Sequence, residues 1–355
     1  MINNLTSNKS TIYANTPSRF ILAAALIFMA CFNASSAMAE QVNVYSGRQE
    51  ALIKPLLDDF TERTGIKVNL VTGSGDALIS RMQAEGELSP ADVIIMADAG
   101  RLVRANQLGL LQAITSDVIA QRVPEQLRAD NQAWIALTTR ARPIMYVEGE
   151  FEPSSIQSMA DLGLERFEEQ ICIRSSSNIY NQSMVASLMI LQGEEQTLEW
   201  AKRVVSNFAR APKGGDRDQI KALVAGECSL AVANTYYLGG MLASDDPQTR
   251  DIANKVGVIW PDQDTSGTHV NVSGAGIAKH AQHKKQAEAL LSFMLERDSQ
   301  QWYAQVNHEY PIIDGVKWSD ELIGLGTFKA QNVDLEKMGE LNDEALRLMD
   351  KAGWR

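Results

Sequence analysis

Histidine and cysteine are scarce in this chain, and both shortages narrow its possible functions. The 355 residues include 4 histidines and 3 cysteines, and no histidine precedes His269. Only Cys172 and Cys228 lie beyond residue 39, with no histidine near them, which argues against a zinc site. The sequence has no G-x-S-x-G motif, and no histidine is placed with a clear nucleophile. It therefore does not indicate a hydrolase.

Long apolar runs are missing beyond the first forty residues, so no segment there is predicted to span a membrane. Residues 1–39 contain two basic residues and no acid, followed by an apolar run at 20–32 and A-M-A at 37–39. This order is typical of a cleavable signal peptide. We predict cleavage after Ala39 and an exported, soluble protein. Lipidation at Cys31 is a weaker alternative.

Basic residues are fewer than acidic residues in this chain. The chain has 33 Lys and Arg residues against 44 Asp and Glu residues, for a net charge of −11. An acidic chain does not suit nucleic acid or anionic lipid, so neither is predicted as a partner. It would attract cations, although net charge does not locate a site.

The chain does contain a repeated strand–loop–helix order. Extended apolar segments near 42–45, 66–71 and 93–96 are each followed by a polar loop and a helical pattern. This order predicts an α/β fold with a largely parallel sheet. Ligands of such sheets bind beyond the carboxyl ends of the strands. The loops predicted at those ends are 46–50, 72–76, 97–100, 174–180 and 234–240.

Extended segments in the middle of the chain predict two lobes. Segments 134–137 and 143–147 indicate a crossing from a first lobe to a second, and 270–277 indicates a return. Two hinged lobes form a cleft and can close on a ligand. The predicted lobes are 40–138 with 264–315, and 139–263 with 316–355.

Three of the eight tyrosines, Tyr180, Tyr236 and Tyr237, fall within two of these loops, in polar surroundings. A phenol that loses its proton is a hard anionic oxygen donor, and hard, highly charged cations prefer such donors. Three phenolates converging on one point would suit Fe(III). The residues leave one alternative open, in which the rings pack at a rim with hydrated hydroxyls.

Cys172 and Cys228 each precede one of these tyrosines, Tyr180 or Tyr236, by eight residues. If the two cysteines lie on neighbouring strands at equal depth, a disulfide is geometrically possible. An oxidising compartment permits it. Two free buried thiols are the alternative.

Several segments carry a family resemblance, most specifically 172–183 and 228–238, with 44–48 and 98–102 in support. Over essentially its whole length after residue 39, the chain resembles the periplasmic ferric-iron-binding proteins of bacterial ABC importers. These proteins have the type II periplasmic-binding-protein fold, with two lobes, hinge crossovers and an interlobe ligand cleft. The similarity is strongest to their tyrosine-rich branch.

The resemblance implies that the second lobe supplies three tyrosinate ligands, at Tyr180, Tyr236 and Tyr237. The first lobe of that branch usually has a histidine and a tyrosine where this chain has Gln49 and Glu50. Two outcomes stay open. Glu50 supplies a fourth, carboxylate ligand, or water or an anion such as carbonate completes the shell. An acid at Glu50 also suits the first turn of a helix.

Four further residues are candidates for binding that anion or supporting the ligands. Arg48 and Arg140 carry guanidinium forks that match planar oxyanions, although ordinary ion pairs are the alternative. Ser176 and Asn234 match family positions that contact an anion or support the ligands. Gln49, which occupies the position of the usual histidine, is a fifth candidate for the same role.

The function implied is capture of Fe(III) in the periplasm, without enzymatic turnover. A monomer would deliver the iron to an inner-membrane ABC permease and its ATPase. The alternative is a binding protein of the same fold for an organic or oxyanionic solute, such as a phosphonate, a sulfonate or a thiamine-like ligand.

Overall fold

Two β-sheets, each with helices packed on it, form the framework of the protein. The computed structural model describes Met1 and residues 40–355, so the predicted signal peptide, its cleavage site and Cys31 lie outside the described residues. Residues 41–355 form one compact unit. Within this part of the chain, no helix combines the length and apolarity that a bilayer crossing needs.

The strands divide between a seven-stranded and a four-stranded sheet. In chain order they are β1 (Gln41–Ser46), β2 (Lys67–Thr72), β3 (Val93–Met96), β4 (Leu111–Gln112), β5 (Trp134–Ala141), β6 (Ile144–Val147), β7 (Ile171–Cys172), β8 (Leu230–Val232), β9 (Val256–Ile259), β10 (Val270–Ala278) and β11 (Tyr310–Pro311). The first sheet has the order β11-β5-β10-β3-β1-β2, with β4 paired to β10, and the second has the order β7-β8-β6-β9.

Helices follow most strands and cover the sheets. They are α1 (Lys54–Thr64), α2 (Gly75–Glu85), α3 (Ala99–Gln107), α4 (Asp117–Arg122), α5 (Ile179–Gln192), α6 (Glu194–Ser206), α7 (Asp216–Val224), α8 (Thr235–Leu242), α9 (Pro247–Ala253), α10 (Lys284–Met294), α11 (Arg297–Val306), α12 (Asp320–Gly324), α13 (Leu335–Glu340) and α14 (Asn342–Ala352). We call each sheet with its helices a lobe.

The predicted two-lobe α/β fold is confirmed, but the prediction of a largely parallel sheet is wrong. Strand β1 is parallel to β2 and β3, whereas β10 runs antiparallel to β3, β4 and β5. In the second lobe β6 is antiparallel to both of its neighbours. The reason is that β10 returns from the second lobe and therefore enters the first sheet from the opposite direction.

Helices on both faces of the first sheet explain why β3 is apolar at every position. Ile94 and Met96 belong to one hydrophobic cluster, while Val93 and Ile95 belong to another on the opposite face. A strand covered on both sides loses the usual alternation of apolar and polar residues. Its burial holds the carboxyl end of β3 rigidly at the rim of the cleft.

The crossovers lie slightly later than predicted. Strand β5 stays in the first sheet up to Ala141, and β6 opens the second sheet at Ile144. The return crossover lies between Ile259, which ends β9, and Val270, which begins β10. Residues 142–143 and 260–269 therefore link the lobes.

The predicted division assigns all residues from 316 onward to the second lobe, but some of them pack on the first lobe. Helix α13 packs mainly on α3 of the first lobe and also contacts α5 of the second, while α14 packs on α5 and α6 of the second. The single helix suggested by the amphipathic pattern is two helices, separated at Leu341. The break lets the first half reach the first lobe while the second half stays on the second lobe.

A disulfide joins Cys172 and Cys228, with their Cα atoms 5.8 Å apart. Cys172 ends β7, which pairs in parallel with β8, and Cys228 lies just before β8. The bridge closes a loop with a sequence separation of 56 residues. It ties together the two strands whose carboxyl ends lead to the tyrosines.

Removing this disulfide is expected to destabilise the protein. Replacing both cysteines by alanine frees the unfolded chain, so the free energy of unfolding should fall by roughly 2–4 kcal/mol. Urea denaturation of the oxidised protein and of the double variant measures the difference. Reductant should lower the wild-type midpoint and leave the variant unchanged. An unchanged wild-type midpoint would contradict a stabilising bridge.

Candidate functional site

A cleft of about 160 Å³ lies between the lobes and brings together residues far apart in sequence. The first sheet and its loops contribute the wall opposite the tyrosines. The lining from that side is Gly47, Arg48, Gln49, Leu52, Ala97, Arg140, Ser273 and Glu309, and the second lobe contributes Tyr180, Arg217, Tyr236 and Tyr237.

Each of the three predicted tyrosines lies in the first turn of a helix rather than in a loop. Helix α5 begins at Ile179 and α8 begins at Thr235. They follow β7 and β8, which are parallel neighbours, so both helices start at the same edge of the second sheet. This topology places Tyr180 beside Tyr236 and Tyr237.

The tyrosine hydroxyls converge. The Tyr180 and Tyr236 oxygens are 3.2 Å apart, and the rings of Tyr236 and Tyr237 lie 4.1 Å apart at 31°. A small octahedral cation holds oxygen ligands at about 2 Å, so neighbouring ligand oxygens lie about 3 Å apart. The spacing of Tyr180 and Tyr236 therefore matches two ligands of one small cation.

Two of these phenols resist ionisation because of their surroundings. Burial raises the pKa of Tyr236, and the nearby Tyr180 and Tyr237 raise it further. Burial also raises the pKa of Tyr237, with Tyr180 and Asp216 acting in the same direction. A phenolate here would be poorly hydrated and would repel its neighbours. These tyrosines are therefore neutral at physiological pH until a cation replaces their protons.

Arg48 forms a buried ion pair in the first lobe, and of its three guanidinium nitrogens only Nε lacks a hydrogen-bond partner within residues 40–355. Its Nη2 donates to Glu309 Oε1 at 2.5 Å, and its Nη1 donates to Ser273 Oγ at 2.5 Å. Burial would raise the pKa of Glu309, but the charge and hydrogen bonds of Arg48 keep it below its usual range. Thr138 also donates to this carboxylate. The pair is neutral overall, which leaves Arg48 little capacity for an anion.

Arg140 differs because its guanidinium is buried but incompletely bonded. It is 1% exposed, and its Nη1 donates to Ser273 Oγ at 3.0 Å. Its Nε and Nη2 have no hydrogen-bond partner among residues 40–355, and Nη2 is 4.0 Å from Asp98. Burial raises the pKa of Asp98, against the opposing effect of Arg140. A buried, under-bonded guanidinium lining a cleft is suited to an oxyanion.

Arg217 and Arg174 lie against the tyrosine rings on the second-lobe side. The Cζ atom of Arg217 is 5.2 Å from the Tyr237 ring centroid, and that of Arg174 is 5.8 Å from the Tyr180 ring centroid. Arg140 also faces the Tyr180 ring, at 5.3 Å. Cations over these rings favour electron-rich phenolates.

Ser176 and Asn234 lie behind the three tyrosines and do not line the cleft. Ser176 Oγ donates to Asp350 Oδ1 at 2.8 Å. Asn234 Oδ1 accepts from Arg142 at 3.0 Å, and the same guanidinium bonds Asn181 and pairs with Asp216. This buried network fixes the starts of α5 and α8. Both residues therefore contact groups that hold the tyrosine helices in place.

Gln49 and Glu50 occupy different positions at the mouth of the cleft. Gln49 lines it, whereas Glu50 is exposed in the first turn of a short 3₁₀ helix, Glu50–Leu52, and does not line it. The preceding turn is tight because Gly47 packs on Gly75 and Met96, where a Cβ would come within 2.9 Å of the Met96 sulfur. The turn presents Arg48 and Gln49 rather than Glu50.

Several contributors to this site were not predicted from the sequence, namely Glu309, Ser273, Arg217, Arg142, Arg174, Asp216 and Asp98. Glu309 directly precedes β11, whose pairing with β5 brings it into the cleft. Asp98 carries the one clear local signal, since an Asp before a helix is a typical N-cap, and its Oδ1 accepts from Gly100 N at 2.9 Å. For the others, no local pattern indicates a role.

Other metal-binding side chains do not compete with the tyrosines. Across the described part of the chain, no group of three or more His, Cys, Asp and Glu residues is arranged to hold a metal ion. The oxygen donors that line the cleft are the three phenols, the Gln49 amide, the Ser273 hydroxyl and the Glu309 carboxylate, which is paired with Arg48.

Comparisons with known proteins identify the family of this chain. Residues 56–329 match the model of a family described as bacterial extracellular solute-binding protein. Iron uptake protein A1 of Synechocystis sp. is 43% identical over 316 residues, covering 89% of this chain and 88% of that protein.

Solved structures give the same result. A Trichodesmium protein (IdiA, FutA) in complex with iron and citrate ligands is 42% identical with a TM-score of 0.85, covering 89% of this chain and 100% of that one. A ferric binding protein from Campylobacter jejuni is 36% identical with a TM-score of 0.86, covering 88% and 100%. The resemblance inferred from the sequence is confirmed. The chain belongs to the bacterial extracellular solute-binding protein family, whose members bind and transport solutes rather than catalyse reactions.

Proposed function

We propose that this protein captures Fe(III) in the interlobe cleft through tyrosinate ligands and delivers it for iron uptake. The observation that carries this conclusion is the convergence of Tyr180, Tyr236 and Tyr237, with two hydroxyls 3.2 Å apart. The similar proteins are named for iron uptake or ferric binding. These names favour iron over the organic and oxyanionic solutes that the fold also accommodates.

The chemistry of the site supports a trivalent cargo. Three phenolates carry the charge needed to neutralise Fe(III), and a bound cation lowers the pKa of the phenols it contacts. Loading exchanges about three protons for one metal ion. A divalent ion would leave either one unbalanced negative charge or one protonated tyrosine.

An anion beside the iron fits the first-lobe wall. Arg140 Nε and Nη2, which lack protein partners within 40–355, provide donors for carbonate or another small oxyanion. Arg48 contributes less because Glu309 and Ser273 occupy it. A similar protein binds iron together with citrate. The fourth and later coordination positions then belong to the anion or water, and not to Glu50.

The cellular role follows from this chemistry and from the family. The protein acts as a periplasmic monomer, exported by the signal peptide ending at Ala39. Lobe closure on iron distinguishes the loaded from the empty form. An inner-membrane ABC permease with its ATPase receives the loaded form.

Iron loading is expected to produce a visible phenolate-to-Fe(III) charge-transfer band. Tyr236→Phe should shift or bleach this band and lower iron affinity by more than about 100-fold, since losing even groups that orient ligands costs 10–100-fold. Absorbance titration with ferric citrate measures both quantities.

Tyr146→Phe is the matched control because Tyr146 lies on β6 outside the cleft. It should leave the band unchanged. A colourless wild-type complex, or an unaltered Tyr236→Phe band, would contradict tyrosinate ligation.

Iron affinity should fall steeply as pH falls. Because the pKa values of Tyr236 and Tyr237 lie above their usual range, both phenols are protonated throughout pH 5–8 in the empty protein. Each proton released on binding contributes a tenfold change per pH unit, so two or three give about 100- to 1,000-fold. Calorimetry with ferric citrate in buffers of different ionisation enthalpy counts the protons. Tyr236→Phe should release one fewer, and a pH-independent affinity would argue against the mechanism.

Glu50→Gln is expected to leave iron affinity within about twofold of wild type, because an exposed surface carboxylate contributes little to a site it does not line. Competition against citrate at several pH values provides the measurement. A tenfold or larger loss would instead make Glu50 a ligand.

A further inference from the structure

The loop that leads to Tyr180 is held from outside by the last residues of the chain. We call residues 174–178 the Tyr180 loop and residues 335–354 the C-terminal segment. Trp354 Nε1 donates to the Arg174 carbonyl oxygen at 2.8 Å, and Asp350 accepts from Ser176 Oγ at 2.8 Å. Both contacts fall within six residues of Tyr180.

Trp354 is fixed by packing. Its side chain is fully buried, and its ring lies 5.2 Å from Phe208 at 76° and 6.3 Å from Trp200 at 52°. Chain ends are poorly ordered unless they are tied down. An indole fixed on three sides holds its N–H, and hence the Arg174 carbonyl, in one place.

The other end of the same segment packs mainly on the first lobe and also contacts α5, the helix that carries Tyr180. Helix α13 crosses α3 closely, so that a Cβ on Gly339 would lie 2.6 Å from Val103 Cγ2 and 3.1 Å from Gly100 Cα. Helix α3 follows directly from Ala97, which lines the cleft, and is capped by Asp98. Between the two ends, only Leu341 separates α13 from α14.

We propose that Asp350 and Trp354 are positioning residues for Tyr180, and that the C-terminal segment couples the position of the first lobe to this iron ligand. The inference rests on the proposed function. Movement of α3 during opening or closing displaces α13. Because α14 follows after one residue, the displacement reaches the Ser176 and Arg174 contacts and alters the aim of Tyr180.

Two variants test the contacts with minimal change in volume. Trp354→Phe removes the indole N–H, and Ser176→Ala removes the hydroxyl bonded to Asp350. Each should lower iron affinity by about 10- to 100-fold, the usual effect of losing a group that orients a metal ligand. Each should also shift the charge-transfer maximum, which a purely structural role would not move.

Trp302→Phe is the matched control, since Trp302 is a half-buried tryptophan on α11 that does not line the cleft. It should change neither affinity nor the band. If Trp354→Phe and Ser176→Ala also leave both readouts at wild-type values, the positioning role is overturned. If Trp354→Phe fails to fold, Ser176→Ala alone decides.

Gly339→Ala tests the link to the first lobe. The added methyl group forces α13 away from α3, so affinity should fall and the band should shift in the same direction as in Ser176→Ala. A Gly339→Ala protein with wild-type affinity and band overturns the coupling. If the iron-loaded wild-type protein shows no charge-transfer band, the proposed function itself is contradicted. If the wild type shows the band and the variants match it, only this inference is contradicted.

Discussion

The site depends on one electrostatic constraint, which is that buried phenols cannot ionise in this cleft unless a cation takes the place of their protons. Burial and mutual proximity raise the pKa of Tyr236 and Tyr237, so these two phenols are neutral when no cation is bound to them. Three protons and one Fe(III) carry equal charge, so exchange leaves the net charge of the cluster unchanged. The protein thereby avoids the large cost of burying an uncompensated charge in either state.

The surrounding structure fixes the positions of the tyrosine hydroxyl oxygens. Parallel pairing of β7 and β8, tied by the Cys172–Cys228 disulfide, starts two helices at one sheet edge. The buried network around Arg142 then holds those helix starts together. Because protein contacts hold the Tyr180 and Tyr236 hydroxyls 3.2 Å apart, little ordering would remain to be done on metal binding.

Sequence patterns located the tyrosines but not the wall opposite them. Strand–loop–helix order placed Tyr180 and Tyr236 at carboxyl ends, since that depends only on local periodicity and parallel pairing. Glu309 and Ser273 reach the cleft through β10 and β11, whose antiparallel registers are set by tertiary packing. Tertiary packing likewise sets the mixed strand directions of the sheet and the helix break at Leu341, neither of which a local pattern could predict. Helix α13 packs mainly on the first lobe and α14 on the second.

The division of ligands between the lobes determines how closure must work. A ligand shifts a conformational equilibrium only by the difference in its interactions with the two states. All three tyrosines belong to the second lobe, and the first lobe presents Gln49, Ala97, guanidinium groups and a Glu309 carboxylate that is already paired with Arg48. Iron held by the second lobe alone would therefore favour closure weakly. Under the proposed function, an anion bound to that iron and reaching Arg140 would supply the missing difference, because it would be shared between the lobes only when the cleft is closed.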